Sequence, residues 1–326
     1  MAVATVTFRE TFDCLWCGRP WTTRSTEDLE GWAVLCPDCL GRAQDNPFLR
    51  FRLKQALQDR SRAAAGAGAA EAPGTAVAAG SASVAPPMAV LAPGRAAPAL
   101  AAEDDVAMKA YYAARAPEYD DWYLRRGRYA RGPVLDLPWH HELDLAGRWL
   151  DGLPLHGEIV ELAAGTGWWS PILAEKGELS IYDAVPEPLD LARQRLVAHH
   201  LRAHIHVRDA WEEPDRQVDA VFTGFWLSHV RRDRLPAFLG LVRRWLKPGG
   251  SFAFIDSQRD PGSGATDHPP VADDETALRR LHDGREFTIP KVYYESEELT
   301  VALRAAGFAE VDVSQTERFF LLGWAR

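Results

Sequence analysis

The chain has 326 residues, of which 47% are hydrophobic and 25% charged, a balance that lets one or two domains bury a core. Its net charge of −9 opposes long-range attraction to nucleic acid phosphates and anionic membrane surfaces. The first residues, MAVATVTFRE, show neither the basic start nor the apolar stretch of a secretory signal, and no run approaches the ~18 apolar residues of a membrane span; a cytoplasmic protein with no membrane association is expected.

All 4 cysteines stand near the start, as Cys14-x-x-Cys17 and Cys36-x-x-Cys39 with eighteen residues between the pairs. This is the two-knuckle spacing of a tetrahedral Zn2+ site, with Gly18 and Gly41 beside the turns where the backbone must bend. Disulfides or a rubredoxin-type iron centre are the other uses of four such cysteines. The stretch resembles zinc ribbons, so residues 1–60 are expected to form a zinc-ribbon-like module with Zn2+ in a structural role. Residues 1–62 carry nine basic and eight acidic side chains, which gives no electrostatic support for nucleic acid binding. Docking to a protein partner or self-association is the expected use of the module. Beyond Cys39 no thiol exists for nucleophilic catalysis or cross-linking.

Residues 63–102 are almost entirely Ala, Gly, Pro, Ser and Val, with Glu71 and Arg95 as the only charges. Such a stretch has little large apolar surface to bury, and residues 61–104 read as a disordered linker. From residue 105 onward helical and strand-like patterns alternate. Helices are expected over 107–123 and 141–150, then strand 158–162, a helix near 171–176, strand 179–182, helix 188–199, and strands 205–208, 218–223 and 252–255 with helices between. Strand–helix alternation argues for a parallel sheet with helices on both faces. The last two runs, 311–314 and 318–324, have only a short polar turn between them, so they pair as an antiparallel hairpin. The expected fold class is therefore α/β: a seven-stranded, mostly parallel sheet closed by a C-terminal hairpin, over residues 105–326. Residues 258–291, polar and rich in Gly and Pro, suit a mobile substrate lid.

The segment Glu161-Leu162-Ala163-Ala164-Gly165-Thr166-Gly167 is a strand entering a tight glycine turn. Asp183 ends the next strand and Asp209-Ala210-Trp211 the one after, which gathers acidic groups at the edge where open α/β sheets bind ligands. With Leu246-Lys247-Pro248-Gly249-Gly250 before the fifth strand, these features resemble the class I S-adenosylmethionine-dependent methyltransferases across residues 105–326. One departure is Ala163, where that family usually has its first glycine. A dinucleotide-binding dehydrogenase fits less well, because Gly165-x-Gly167-x-x-Ser170 lacks the third small residue and that fold predicts no closing hairpin.

The resemblance implies that Glu161 orients the loop and the methionine amino group, that Asp183 takes the ribose hydroxyls, and that Asp209 with the Ala210 amide reads adenine, Trp211 lying against the ring. Ala163, Gly165, Thr166, Gly167, Ala184 and Phe225 complete the expected cofactor set. Residues 111–120, YYAARAPEYD, resemble the lid helix of small-molecule members, with Tyr111 or Tyr119 closing over the sulfonium, where an aromatic face favours a cation; core packing is the other use of these tyrosines. His229, after the fourth strand, is the general-base candidate. Asp256, His268, Tyr293 and Tyr294 are candidate substrate contacts. No Asn-Pro-Pro-Tyr-type sequence is present to hold a flipped base. The expected function is methyl transfer to a small molecule, with an RNA methyltransferase guided by the zinc module or a non-catalytic cofactor-binding regulator as alternatives.

Overall fold

The run Glu158–Leu162 buries four of its five side chains, as a strand covered on both faces must. In the computed structural model of the protein, which describes residues 11–13, 19–22, 97–268 and 275–326, this run is β3, an interior strand of a seven-stranded sheet. Two short strands precede it in the chain, β1 (Thr11–Asp13) and β2 (Pro20–Thr22), which pair antiparallel within a unit separate from Gly94–Arg326. Cys14, Cys17, Cys36 and Cys39, and most of the expected linker, lie outside the described residues.

Around β3 stand β4 (Glu178–Asp183), β5 (His204–Val207), β6 (Val218–Gly224), β7 (Leu246–Ser257), β10 (Val311–Gln315) and β11 (Phe320–Ala325), in the order β10-β11-β7-β6-β3-β4-β5. The strands from β3 to β7 run parallel, while β11 lies antiparallel to β7 and β10 to β11. The expected fold class and closing hairpin are thus both observed. Because β4 and β5 lie to one side of β3 and β6 and β7 to the other, the strand order reverses beside β3, which opens a crevice at the strand ends. At the start of β7 Leu246 pairs with Val218, yet Ser251 pairs with Ala220. The intervening Lys-Pro-Gly-Gly loops out because Pro248 has no amide to pair and Gly249 takes φ +78°.

Helices α4 (Ser170–Lys176), α5 (Pro186–Ala198), α6 (Leu235–Trp245) and α7 (Ser296–Ala305) link successive strands. Before the sheet come α1 (Ala97–Arg115), α2 (Tyr119–Leu124) and α3 (Pro133–Gly152). The single helix expected over 107–123 is in fact two, joined by a 3-10 turn at Ala116–Glu118, where Pro117 disfavours helical backbone in the residue before it. The helix expected at 141–150 begins earlier, at Pro133, and carries Pro138 inside it. Trp139, Leu143, Ala146 and Leu150, all 0% exposed, hold it on the core despite the missing amide. Residues 258–291 contain the antiparallel hairpin of β8 (Thr276–Arg280) and β9 (Glu286–Pro290), so this part is built structure; its alternation was hidden by the surrounding Gly and Pro.

Gly323 of β11 lies opposite Phe254 of β7, whose ring covers the position a Cβ would take, 2.0 Å away. Gly323→Ala is therefore expected to lower unfolding free energy by about 1–3 kcal/mol through overpacking. A urea denaturation series reads this directly, and an unshifted midpoint would show that Phe254 moves aside freely.

Candidate functional site

The loop leaving β3 makes three left-handed excursions in five residues, at Ala163 (φ +51°), Gly165 (φ +55°) and Gly167 (φ +66°). Gly167 is required twice over, since an added Cβ would also lie 2.7 Å from the Ala192 Cβ. Ala163 fills a backbone position that costs a non-glycine residue about 1–2 kcal/mol. The departure noted in the sequence is thus a strained residue in an otherwise regular loop. The Ala164 amide donates to the Tyr182 carbonyl (3.0 Å) and the Gly165 amide to Asp183 Oδ2 (2.8 Å), which tie the loop to the end of β4.

A cleft opens along this edge. Ala163, Gly165, Asp183, Ala184, Asp209, Ala210, Trp211 and Phe225 from the sequence reading all line it. The other oxygen of Asp183 accepts the Val185 amide at 2.9 Å; burial raises its pKa to about 6, against the lowering effect of the two amides. Asp209 Oδ1 accepts the Trp211 amide (2.9 Å), while Oδ2 meets Lys109 Nζ of α1 at 2.6 Å. Trp211 packs edge-on to Phe238 and carries the Arg234 guanidinium over its ring at 4.0 Å.

Three expected cofactor residues stand elsewhere. Glu161 lies beneath the loop, 1% exposed, and accepts the Ser170 hydroxyl at 2.5 Å. Thr166 donates to Asp120 at 2.7 Å, and Asp120 also pairs with Arg195 of α5, so the loop is tied to α2. Gly167 packs on α5. Of the lid tyrosines, Tyr119 lines the cleft with its ring against Gly165, whereas Tyr111 faces a second cavity and Tyr112 takes the place expected of it.

That second cavity, of about 480 Å3, adjoins the cleft and shares Tyr112, Tyr119 and Phe225 with it. His229 and His268 line it, as does Tyr293. His229 Nδ1 lies 2.7 Å from the Pro290 carbonyl, which can only accept, so that nitrogen carries the proton; Nε2 accepts the Tyr112 hydroxyl at 2.6 Å. Burial, with Lys291 adding to it, pushes the His229 pKa well below its ordinary value, and the ring is neutral. His268 is likewise lowered to about 3, first by burial and then by Arg279.

Asp256 and Tyr294 are not in the cavity wall. Asp256, 4% exposed, accepts the Ser228 and Ser257 amides (2.9 and 2.7 Å), and the Tyr294 hydroxyl donates to the Val230 carbonyl at 2.7 Å. Both side chains hold the Leu227–Val230 stretch that follows β6.

Sequence reasoning missed Lys109, Tyr112, Arg115 and Lys291. For the first three, helical spacing held the signal: Asp105, Met108, Lys109 and Tyr112 recur at i, i+3, i+4 and i+7 and all line the cleft, while Tyr111 and Arg115 at i, i+4 line the cavity. Lys291 has no local signal, because its partners Ser228 and Ser257 are 63 and 34 residues away.

Burial raises the Glu161 pKa to about 8, only partly offset by the Ser170 hydroxyl and Arg195. A carboxyl whose folded pKa is raised stabilises the fold fully below its unfolded pKa and loses that contribution as pH climbs through the folded value. Glu161→Gln should therefore be more stable than wild type near pH 8 in ligand-free protein, with the difference shrinking toward pH 5. Urea midpoints across pH test this, and parallel pH profiles for the two proteins would refute it.

Known proteins resemble this chain. A family described as a methyltransferase domain matches residues 159–250, from β3 into β7. Two solved structures, titled as the DhpI-SAH complex and the DhpI-SAM-HEP complex, are each 30% identical, with TM-scores of 0.54 and 0.55. They cover 68% of this chain and 95% and 97% of their own. A malonyl-[acyl-carrier protein] O-methyltransferase of Serratia marcescens is 33% identical over 102 residues, or 30% of this chain, which spans only 37% of that relative's length. Matches over nearly the full length of the two solved structures join the glycine loop and the acidic strand ends in one conclusion: the chain belongs to the class I S-adenosylmethionine-dependent methyltransferases.

Proposed function

We propose that this methyltransferase acts on a small-molecule acceptor seated in the 480 Å3 cavity, with S-adenosylmethionine in the adjoining cleft. The observation that carries the reading is the shared wall: Tyr112, Tyr119 and Phe225 border both spaces, so donor and acceptor meet between three aromatic faces. The cavity volume falls in the range of about 300–1,000 Å3 usual for small-molecule sites. The O-methyltransferase relative and the ternary DhpI-SAM-HEP complex support the same reading.

The cleft residues suit the donor. Asp183 keeps oxygen lone pairs beyond its two amides for ribose hydroxyls; Ala210, Val185 and Met108 offer apolar walls beside Trp211 for adenine. When bound, S-adenosylmethionine supplies an electrophilic methyl group on a sulfonium. The protein then has to align a nucleophile at about 3–3.5 Å and exclude water, which the tyrosines of α1 and α2 do by roofing the junction. Lys109 reaches from α1 to Asp209 and secures that roof at the adenine end.

The N-terminal cysteines are proposed to hold one structural Zn2+ in a module over residues 1–60, a reading supported by their spacing alone. Elemental analysis of the full chain is expected to give one zinc per chain, lost in Cys14→Ser; absence of metal would remove the assignment. Among the described residues no helix is long and apolar enough to cross a membrane.

Asp183→Asn should weaken S-adenosylmethionine binding by about tenfold or more, the scale of a hydrogen bond to a charged group. Because burial pushes the Asp183 carboxyl up to about 6, affinity should also fall as pH drops below that value, and the variant should lose this dependence. Calorimetry reads both, and equal affinities would sink the site. With methyl-labelled S-adenosylmethionine and a cell extract, label should appear among small molecules; label in RNA would overturn the acceptor assignment.

A further inference from the structure

The wall of the second cavity carries positive charge that methyl transfer to a neutral molecule leaves without a use. Arg115, at the end of α1, is 9% exposed, its guanidinium over the rings of Tyr119 (4.5 Å), Tyr111 (5.6 Å), Tyr129 (5.8 Å) and Tyr112 (5.9 Å). No carboxylate among the described residues pairs with it, and its Nε donates to none of them. The Tyr111 hydroxyl on the same wall, in a side chain 1% exposed, also lacks a hydrogen-bond partner. Lys291, 7% exposed, donates to Ser228 Oγ (2.8 Å) and Ser257 Oγ (3.2 Å), which leaves the third proton of its ammonium for the cavity.

Arg279, half-buried on β8, completes the set. These charges act on one another: after burial itself, Arg279 and Arg115 lower the Lys291 pKa to about 8, against the opposing effect of Asp256. The acidic groups nearby are engaged. Asp260 on the wall pairs with Arg318 at 2.9 Å, and both oxygens of Asp256 accept amides behind the wall. A buried cation without a counter-ion is costly, and Arg115 with the idle Tyr111 hydroxyl is poised to receive one.

We infer that the methyl acceptor is a small anion, its carboxylate or phosphoryl oxygens received by Arg115, Lys291 and the Tyr111 hydroxyl, and that one of those oxygens takes the methyl group. The inference rests on the placement of the acceptor in this cavity. The oxygen lone pair forms the new C–O bond while the sulfonium C–S bond breaks, its electron pair passing to sulfur; the products are a methyl ester and S-adenosylhomocysteine. Sulfonium and oxyanion cancel one another's charge, so no proton moves and no base is needed. His229 agrees with this, for Nδ1 is committed to the Pro290 carbonyl and Nε2 to the Tyr112 hydroxyl. Its role here is to position Tyr112 in the shared wall.

The test uses the full chain with methyl-labelled S-adenosylmethionine and a panel of small carboxylic acids and alkylphosphonates, each beside its neutral amide or ester, and calorimetry of the same anions on enzyme loaded with S-adenosylhomocysteine. Label is expected in an acid and not in its neutral counterpart. Alkali separates the sources: a carboxylate ester releases its label as methanol, whereas a phosphonate monoester retains it. Arg115→Met and Lys291→Met should each raise the acceptor KM by about tenfold or more, and Arg115→Lys should recover part of the loss, with S-adenosylhomocysteine affinity retained as the control for folding. Labelled alcohols or amines with unlabelled acids would overturn the inference. So would wild-type KM in both Met variants, or loaded enzyme that neither binds nor methylates any anion of the panel. Failure to bind S-adenosylhomocysteine at all would instead overturn the placement of donor and acceptor on which the inference rests.

Discussion

The hydrogen bond from the Gly165 amide to Asp183 Oδ2 joins the ends of two neighbouring parallel strands, and the site is arranged around it. Parallel pairing of β3 with β4 brings residues 18 apart in sequence to one rim. The left-handed turns at 163, 165 and 167 then bring the Gly165 amide to the carboxylate. A buried carboxylate accepting two amides both shapes the loop and keeps lone pairs directed into the cleft. Glu161 supports the same loop from below, through Ser170 at the start of α4. The cradle is thus held from both sides by acidic groups, only one of which faces the ligand space.

The segments before the sheet act as a roof with two undersides. One face of α1 presents Met108, Lys109 and Tyr112 to the cleft, and the next face presents Tyr111 and Arg115 to the cavity. Roof and sheet are joined at both ends: Lys109 to Asp209 just beyond β5, Asp120 to Thr166 and Arg195 at the glycine loop. At the end of α2, Arg125 has its guanidinium 3.7 Å above the Trp139 ring and donates to the carbonyls of Gly262 and Ser263. The cavity wall from the 258–291 segment is thereby fastened to the roof. Closure of the two spaces is a matter of packing among aromatic rings, with polar ties at the corners.

Charge separates the two spaces more sharply than shape. The cleft is acidic, with Asp183 and Asp209, and suits a cationic donor. The cavity holds arginines, a lysine and neutral histidines, and suits an anion. In the proposed arrangement, opposite polarities on the two sides of one aromatic wall would draw sulfonium and oxyanion together, and burial makes both fields stronger than they are in water.

Much of the architecture was legible in the sequence because it depends on local regularities. Short apolar runs alternating with amphipathic helices dictate a parallel sheet, a three-residue polar gap between the last runs dictates a hairpin, and glycines in a strand-to-helix turn announce a left-handed loop. The acidic residues at successive strand ends could be placed at one rim by topology alone. The lid helix was legible in outline, although the break at Ala116-Pro117 was not drawn, and the β8–β9 hairpin was masked by the Gly and Pro around it. What tertiary structure decided is which side chains face which space. Tyr111 and Tyr112 are adjacent in sequence, yet the 100° step of a helix sends Tyr111 to the cavity alone and Tyr112 to the wall shared with the cleft. Asp256 and Tyr294 carry the right chemistry, but long-range backbone partners claim them. Lys291 becomes part of the site only because β9 returns its end to the Leu227–His229 turn, bringing Ser228 and Ser257 within reach. Periodicity along the chain determines the elements; the field around a buried group depends on partners distant in sequence, and only the folded arrangement of β3, α1 and the β8–β9 hairpin brings those partners together.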